Sequence, residues 1–511
     1  MSDVPPATEF DTLTTSEEGN RLYFGETYDP NSFVIAGSDT PEIDFPLTSA
    51  ETQFNSYEGD GGVGVGNFFR RVLFALRYSD FNVLISPQIG DDARILMKRN
   101  VQQRVADVAP FFSQDSDPYL VVLDERLVWV VDLYSVTDSF PYSETADVSR
   151  LRQPVPGNNS LPNDFNYIRN AAKATVDAES GEVNVYVIDP DDPLARAQLR
   201  IFPNSYLSAA DLPEGLAEHF RYPEDLFRVQ SDMWSTYHVA VDQPGQFYSA
   251  EDVWEIATDP STGGIGIAED DLRTFSTSQP MVPYYLLMSL PGEEDLSFVI
   301  LQPFNPKDRP NMQAFLVANS DPGRYGELID YRLSRTTQVA GPSQVKANID
   351  ADSAVSEQLT LWNQQGSQVI QGNILVIPIE ESFVYLQSLY IQSETEQFPE
   401  LATVVVAYDD QIVMAPTFKA GLDVIFGTDT DPGAGDGDGD GDEGDGETDG
   451  GDGTDGGDGM PPDADELIAD IEAAYAAADA ALAANDLGAY QAQIDRARAL
   501  TEQLVDLIAA G

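Results

Sequence analysis

Five pairs of strand-length apolar runs, each pair parted by a short polar turn, constrain this chain more than any other feature. YLVVL (119–123) and LVWVVDLYSV (127–136) flank Asp124-Glu125, and KATVD (173–177) and EVNVYVID (182–189) flank Ser180-Gly181. PYYLLMSL (283–290) and SFVILQPF (297–304) flank the acidic, Gly-containing loop 291–296. NILVIPI (373–379) and SFVYLQSLYI (382–391) flank Glu380-Glu381, and ATVVVAYD (402–409) and QIVMAP (411–416) join near Asp410. Runs that return after so few residues must pair antiparallel, because parallel neighbours need a crossover of a dozen residues or more.

Residues 1–60 are polar and turn-rich and read as loops with short strands. Apolar periodicity predicts helices over Phe68–Tyr78, with Phe69, Leu73 and Leu76 on one face, and over Ala93–Val108, closed by Pro110. Shorter helices are expected over Glu224–Trp234, Ala250–Ile256, Ala354–Gln365 and Pro416–Phe426. Hairpins with interspersed helices, without regular βαβ alternation, give an α+β fold of antiparallel sheets. The hairpins share no sequence period, so no repeat is read.

The length prior is about three domains. An α+β body is expected over 1–427, divisible near residue 160 into 1–160 and 161–427. Residues 428–462 carry 13 acids and no base in an Asp-Gly tract, the composition of a disordered linker. After Pro461-Pro462, Asp463 and Glu466 form a capping signature. Leu467, Ile471, Tyr475, Ala478 and Leu482 make one apolar stripe; Tyr490, Ile494, Ala497, Leu500, Leu504 and Leu507 make a second beyond the break at Asn485–Gly488. Residues 463–511 are therefore expected as a helical hairpin that packs on itself, on the body or on a partner.

Acids outnumber bases 87 to 27, a net charge of −60, and only five of the bases are lysine. Such a chain repels itself at low ionic strength. At about 1 M salt the screening length falls to roughly 3 Å and most of that repulsion disappears. The balance suits concentrated salt, and a halophilic setting is expected. It argues against nucleic acid, which needs a basic face, and against anionic lipid surfaces. Cations, cationic ligands and neutral ligands remain open. Cysteine is absent, which excludes disulfides and thiolate metal sites. The opening MSDVPPATEF reads as no signal peptide, and no apolar run approaches the ~18 residues of a membrane helix. The chain by itself is expected to be soluble.

Motifs that would announce chemistry are few. Asp436, Asp438, Asp440 and Glu447 match the calcium-loop pattern of the EF-hand, but Glu443 stands where an apolar residue belongs and both flanks are Asp-Gly. Loose divalent-cation association is the expectation there, and no metal centre or cofactor site is read. Gly62, Gly64 and Gly66 precede the first helix without the spacing of a dinucleotide fingerprint or a Walker lysine, and are expected as a flexible lead-in. His219 and His238 lie in different segments, with no HExxH or GxSxG in the chain, and His238 is expected on a half-buried strand or loop. Asp409-Asp410, Glu380-Glu381 and Glu251-Asp252 could serve acid–base chemistry or simply decorate solvated turns. In Arg221–Phe227 (RYPEDLF) a proline starts a helix whose first turn holds Glu224 and Asp225, facing the positive end of its dipole.

Several stretches, in order, resemble one family. They are FFRRVLFALRY (68–78), RILMKRNVQQRVADVAPF (94–111), DSDPYLVVLDERLVWVVDLYSVTDSFPY (115–142), NYIRNAAKATVD (166–177), RYPEDLFRV (221–229), GPSQVKAN (341–348) and GSQVIQGN (366–373). Together they resemble, over about residues 20–427, the soluble part of uncharacterised protein family 0182, large bacterial membrane proteins. The resemblance implies a bundle of membrane helices ahead of this region in a longer parent, with this part on the extracytoplasmic face of the cell membrane. It brings no established activity or catalytic residue. The chain is then either a piece of such a parent or a stand-alone soluble relative.

The expectation that follows is a non-enzymatic, envelope-associated binding or assembly role, with residues 463–511 contacting a protein partner or a second copy. The rival expectation is a carboxylate-based hydrolase acting on envelope polymers. That rival needs a cleft where acids gather with aromatics and a carboxyl is held above its usual range.

Overall fold

The computed structural model describes residues 21–427 apart from short internal stretches, of which 149–160 and 260–278 are the longest, together with Ala477, Gln493 and Arg496. The chain divides into two compact units, Met1–Pro432 and Gly433–Gly511. The linker and helical hairpin expected over 428–462 and 463–511 lie outside the described residues but for those three.

The first unit is mixed α+β, and every sheet is antiparallel but for one short edge. A three-stranded sheet joins β1 (Phe33–Ala36), β2 (Val63–Gly64) and β3 (Arg94–Met97) in the order β1-β3-β2. Helices α1 (Phe68–Tyr78) and α2 (Asn82–Ile85) fall between β2 and β3, and α3 (Val101–Val108) follows. The single helix expected over Ala93–Val108 is thus a strand and a helix. RILM is a short apolar run that helix and strand can both use. Its Ile95 and Leu96 are fully buried in the sheet, Lys98 turns the chain at φ 53°, and the Asn100 carboxamide caps α3 by accepting from Gln103 N–H at 2.9 Å.

The glycine run before α1 is packed rather than a flexible lead-in. A Cβ on Gly62, which has φ 75°, would lie 2.7 Å from Ile95 O, and one on Gly66 would lie 2.0 Å from Asp91 O.

The central sheet contains β4 (Ser113–Gln114), β5 (Tyr119–Leu123), β6 (Arg126–Thr137), β7 (Tyr167–Asp177), β8 (Val183–Val187) and β9 (Leu207–Ser208), with order β9-β8-β7-β6-β4 and β5 also on β6. Only β8–β9 is parallel. Leu123 pairs with Arg126 across Asp124 (φ 50°) and Glu125 (φ 61°), both left-handed as a two-residue I′ hairpin requires. β6 and β7, on either side of residue 160, are neighbours in this sheet. Both faces of β6 are covered. Leu127, Trp129, Val131 and Leu133 pack with Val101 and Val105 of α3. Tyr134 packs on the other side with Leu226, Phe227 and Ile300. Burial on both faces explains why LVWVVDLYSV reads as an apolar run rather than an alternation.

Helices α4 (Pro193–Ile201), α5 (Glu224–Tyr237) and α6 (Pro244–Ser249) lead to a third sheet. It contains β10 (Trp254–Ile256), β11 (Tyr284–Ser289), β12 (Leu296–Pro306), β13 (Ala314–Asn319) and β14 (Leu328–Arg332), ordered β10-β12-β13-β14 with β11 also on β12. The helix expected over Ala250–Ile256 is displaced. Pro244 opens α6, Ala250 ends it in the left-handed region at φ 52°, and Trp254–Ile256 is an edge strand on β12. Helices α7 (Pro342–Ala351) and α8 (Ser353–Trp362) then precede a four-stranded meander. Its strands are β15 (Ser367–Ile379), β16 (Ser382–Ser393), β17 (Glu400–Tyr408) and β18 (Gln411–Ala415), and α9 (Phe418–Phe426) closes the unit. All five expected hairpins form at the expected turns. Among the described residues no helix is long and apolar enough to cross a membrane.

Candidate functional site

Ionic side chains gather where the central sheet, the N-terminus of α5 and the third sheet meet. Asp132 on β6 and Lys173 on β7 are cross-strand partners, 3 % and 0 % exposed, joined carboxylate to ammonium. A register shift lies between Leu133 and Tyr134, which pair with Ala172 and Asn170 and leave Ala171 as the extra residue. Residues three apart on a regular strand face opposite sides; the extra residue turns Asn170 and Lys173 to the same side. Both then donate to Asp132 Oδ1, Asn170 Nδ2 at 2.8 Å. The Lys173 ammonium also lies 4.6 Å from the centre of the Phe220 ring and 5.3 Å from that of Tyr325.

Asp115 lies beside this pair, after the short strand β4. Its Oδ2 accepts the Tyr134 hydroxyl and the Asp225 N–H, the latter at 3.0 Å, and its Oδ1 accepts Asp117 N–H at 2.9 Å. Asp225, in the first turn of α5, accepts Ser116 N–H at 2.9 Å and pairs with Arg228 at 3.3 Å. Arg221 bonds Asp117 Oδ2 at 2.6 Å and stacks over Tyr119 and Tyr285. Burial, then the nearby Asp225 and Asp132, holds the Asp115 carboxyl well above the usual range. Burial, then Asp117, pushes Glu224 up to about 7. Burial pulls the Lys173 ammonium down, against the pull of Asp132.

Beside this cluster, between α5, the start of β7 and strands β13 and β14, lies a cavity of about 390 Å³. Phe165, Ile168, Leu226, Val229, Met233 and Leu316 give it apolar walls, and Glu144, Gln230, Trp234, Tyr237 and Asp330 add polar groups. Tyr237 O–H donates to Glu144 at 2.6 Å. Trp234 Nε1 and Asp330 Oδ1 are buried without a protein hydrogen bond.

The residues singled out from sequence are dispersed. Glu224 and Asp225 do open a proline-led helix, and they also belong to the cluster. His219 is exposed in the 3-10 turn Leu216–His219. His238 is not on a half-buried strand or loop; it is the buried C-cap of α5. It stacks on Trp254 at 3.6 Å, with Nε2 4.0 Å from Asp252, and burial lowers its pKa. Asp409-Asp410 forms the turn between β17 and β18. Asp436, Asp438, Asp440 and Glu447, like Glu380-Glu381 and Glu251, lie outside the described residues. Among the described residues no group of three or more His, Asp or Glu is placed to hold a metal ion. Sequence reasoning passed over Asp115, Asp132, Tyr134 and Lys173. The available signal was a lone aspartate inside LVWVVDLYSV and one of five lysines inside the run it pairs with.

The family model of the Uncharacterised protein family (UPF0182) matches residues 1–362. The chain belongs to that family. Its UPF0182 relatives include proteins of Pelotomaculum thermopropionicum, 40 % identical over 427 residues (84 % of this chain, 43 % of the relative), and Trichodesmium erythraeum, 38 % identical over 431 residues (84 % and 45 %). A UPF0182 protein of Salinibacter ruber is 38 % identical over 429 residues (83 % and 42 %). The chain spans less than half the length of these curated relatives. No solved structure matches it.

Proposed function

We propose that this UPF0182 chain is the extracytoplasmic, envelope-associated part of a longer membrane protein and that it works by binding rather than by catalysis. One observation carries the second half. The buried carboxylates Asp115, Asp132 and Asp225 are bonded to groups of their own chain, while the neighbouring cavity is walled by aliphatic and aromatic side chains. Carboxylates spent on N–H, O–H and ammonium partners tie elements together, whereas an apolar cavity with a few polar groups is the usual form of a small-molecule site. Glu144 and Asp330 give that cavity an anionic edge, so its ligand is an apolar molecule with a cationic end.

Calorimetric titration with n-octylamine and with octanoate tests the binding role. The amine should bind and the acid should not, and Asp330→Asn with Glu144→Gln should remove the preference. Equal or absent heats from both probes would reject it. Location is tested by immunoblotting fractionated native cells: a membrane-fraction band much larger than 55.7 kDa supports the longer parent, and a soluble band of that size rejects it.

The hydrolase reading retains one favourable observation, the Glu224 carboxyl raised to about 7 beside Tyr119, Tyr285 and Arg221. Release of sugar or peptide from cell-wall polymer that Glu224→Gln abolishes would establish it over the binding role.

A further inference from the structure

Helix α1 presents an apolar face to solvent. On its other side Phe74 and Tyr78 pack against Val65, Ala93 and Ile95 of the first sheet. Arg71 fixes it there, donating to Val65 O at 2.8 Å and to Ile89 O at 2.6 Å. Phe68, Phe69, Leu73 and Leu76 are turned outward, and Phe81 and Ile85 around α2 extend the patch; all six are between 64 % and 77 % exposed. Large apolar side chains grouped in this way on an anchored helix mark a surface meant to be covered.

Local charge indicates what covers it. Residues 61–90 contain three arginines and a single aspartate, in a chain whose acids outnumber its bases 87 to 27. Arg70 and Arg77 are exposed on the flank of the apolar stripe. A second copy packed two-fold on this face would bring those arginines toward their own counterparts. A helix with an apolar face flanked by arginine instead fits the interface of a phospholipid bilayer, apolar residues among the acyl chains and guanidinium groups at the phosphates. We propose that α1 and α2 form a foot that seats this domain on a phospholipid bilayer. The net charge of −60 opposes approach in dilute salt, and about 1 M salt screens that opposition to roughly 3 Å. Seating is therefore promoted by salt, the reverse of ordinary electrostatic adsorption.

Flotation of the full chain with vesicles of phosphatidylcholine and phosphatidylglycerol in equal parts tests this. The vesicle-bound fraction should rise from dilute to molar salt. Phe69→Ser/Leu73→Ser/Leu76→Ser should lower partitioning at least tenfold, and Arg70→Glu/Arg77→Glu should lower it several-fold. All five side chains are exposed, so unchanged circular dichroism and melting are expected and are measured alongside. Three results would each overturn the proposal: no flotation at any salt, equal flotation of the triple variant, or flotation only after removal of residues 463–511. The last would make that segment the occupant. Sedimentation showing a dimer that the triple variant loses would assign the face to a second copy and overturn it as well.

Discussion

Asp115 and Asp225 are strapped to each other's backbone. Asp115 Oδ2 accepts the N–H of Asp225 at 3.0 Å, and Asp225 Oδ2 accepts the N–H of Ser116, next to Asp115, at 2.9 Å. Each carboxylate thus satisfies an amide on the other's element, and one of those amides is an orphan donor at the start of α5. The exchange fixes α5 to the central sheet and with it one wall of the cavity.

Asp115→Ala leaves the Tyr134 hydroxyl and the Asp225 and Asp117 amides without their acceptor and should cost about 3–5 kcal/mol. Asp225→Ala should cost less, because Arg228 remains solvated in part. The double variant should show a coupling of more than about 1 kcal/mol, read from urea midpoints of the two singles and the double. Simple additivity would mean that the strap does not act as a unit.

Lys173 and Asp132 invite the same logic with opposite charges. Lys173→Met leaves a carboxylate buried with Asn170 as its remaining side-chain donor and should destabilise by about 3–5 kcal/mol. Lys173→Met/Asp132→Leu should recover most of that loss, since an apolar pair of similar volume removes both desolvation penalties. A double variant weaker than either single would show that the ion pair is itself net stabilising.

Glu224 supplies a pH dependence of known sign. Its carboxyl titrates near 7 in the fold against an ordinary value of 4.5, so the folded chain holds the proton more tightly than the unfolded one. Its contribution is complete below about pH 4.5 and is lost as pH rises toward 7, amounting to at most about 3 kcal/mol. Asp115, also raised, acts in the same direction. Glu224→Gln should flatten the fall in stability between pH 5 and pH 7. Parallel wild-type and variant profiles from denaturant melts would exclude Glu224 as the source.

The hairpins were legible because a turn and two flanking runs are local, and register follows from loop length. Asp124-Glu125 is the clearest case, two residues at positive φ joining β5 and β6. What escaped depended on distant partners. RILM became a strand because β1 and β2 flank it, and Trp254 because β12 offered an edge. The cluster was hidden for the same reason: Asp115, Asp132, Lys173 and Asp225 are up to 110 residues apart, and the extra residue at Ala171 that lets Asn170 join them leaves no mark in the sequence. Helix α1 was legible as a helix, but its apolar stripe faces solvent rather than the core.

The charge of −60 makes a prediction about solvent rather than about any residue. Raising potassium chloride from dilute to about 1 M should lift the melting temperature by at least about 5 °C, as self-repulsion is screened. A mesohaline protein with paired charges would show little change. Here the described ion pairs are few beside 87 acids, so screening has much repulsion to relieve.

Residues 428–511 can be tested apart from the body. The family model ends at residue 362 and the relatives match over about 430 residues, so this stretch lies outside what the chain shares with them. The two apolar stripes of 463–511 need a surface to cover them, and the Asp-Gly composition of 428–462 is that of a tether reaching roughly 30–35 Å on average. That reach would let a terminal hairpin contact a neighbouring subunit. Removing 428–511 should leave the melting temperature of the body unchanged, because its sheets and buried cluster lie wholly within residues 21–427. The same truncation should lower the sedimentation coefficient of any assembly to that of a single chain. Sedimentation velocity on full-length and truncated protein in molar salt decides it: equal assembly in both would remove 463–511 as the contact and leave association to the body itself.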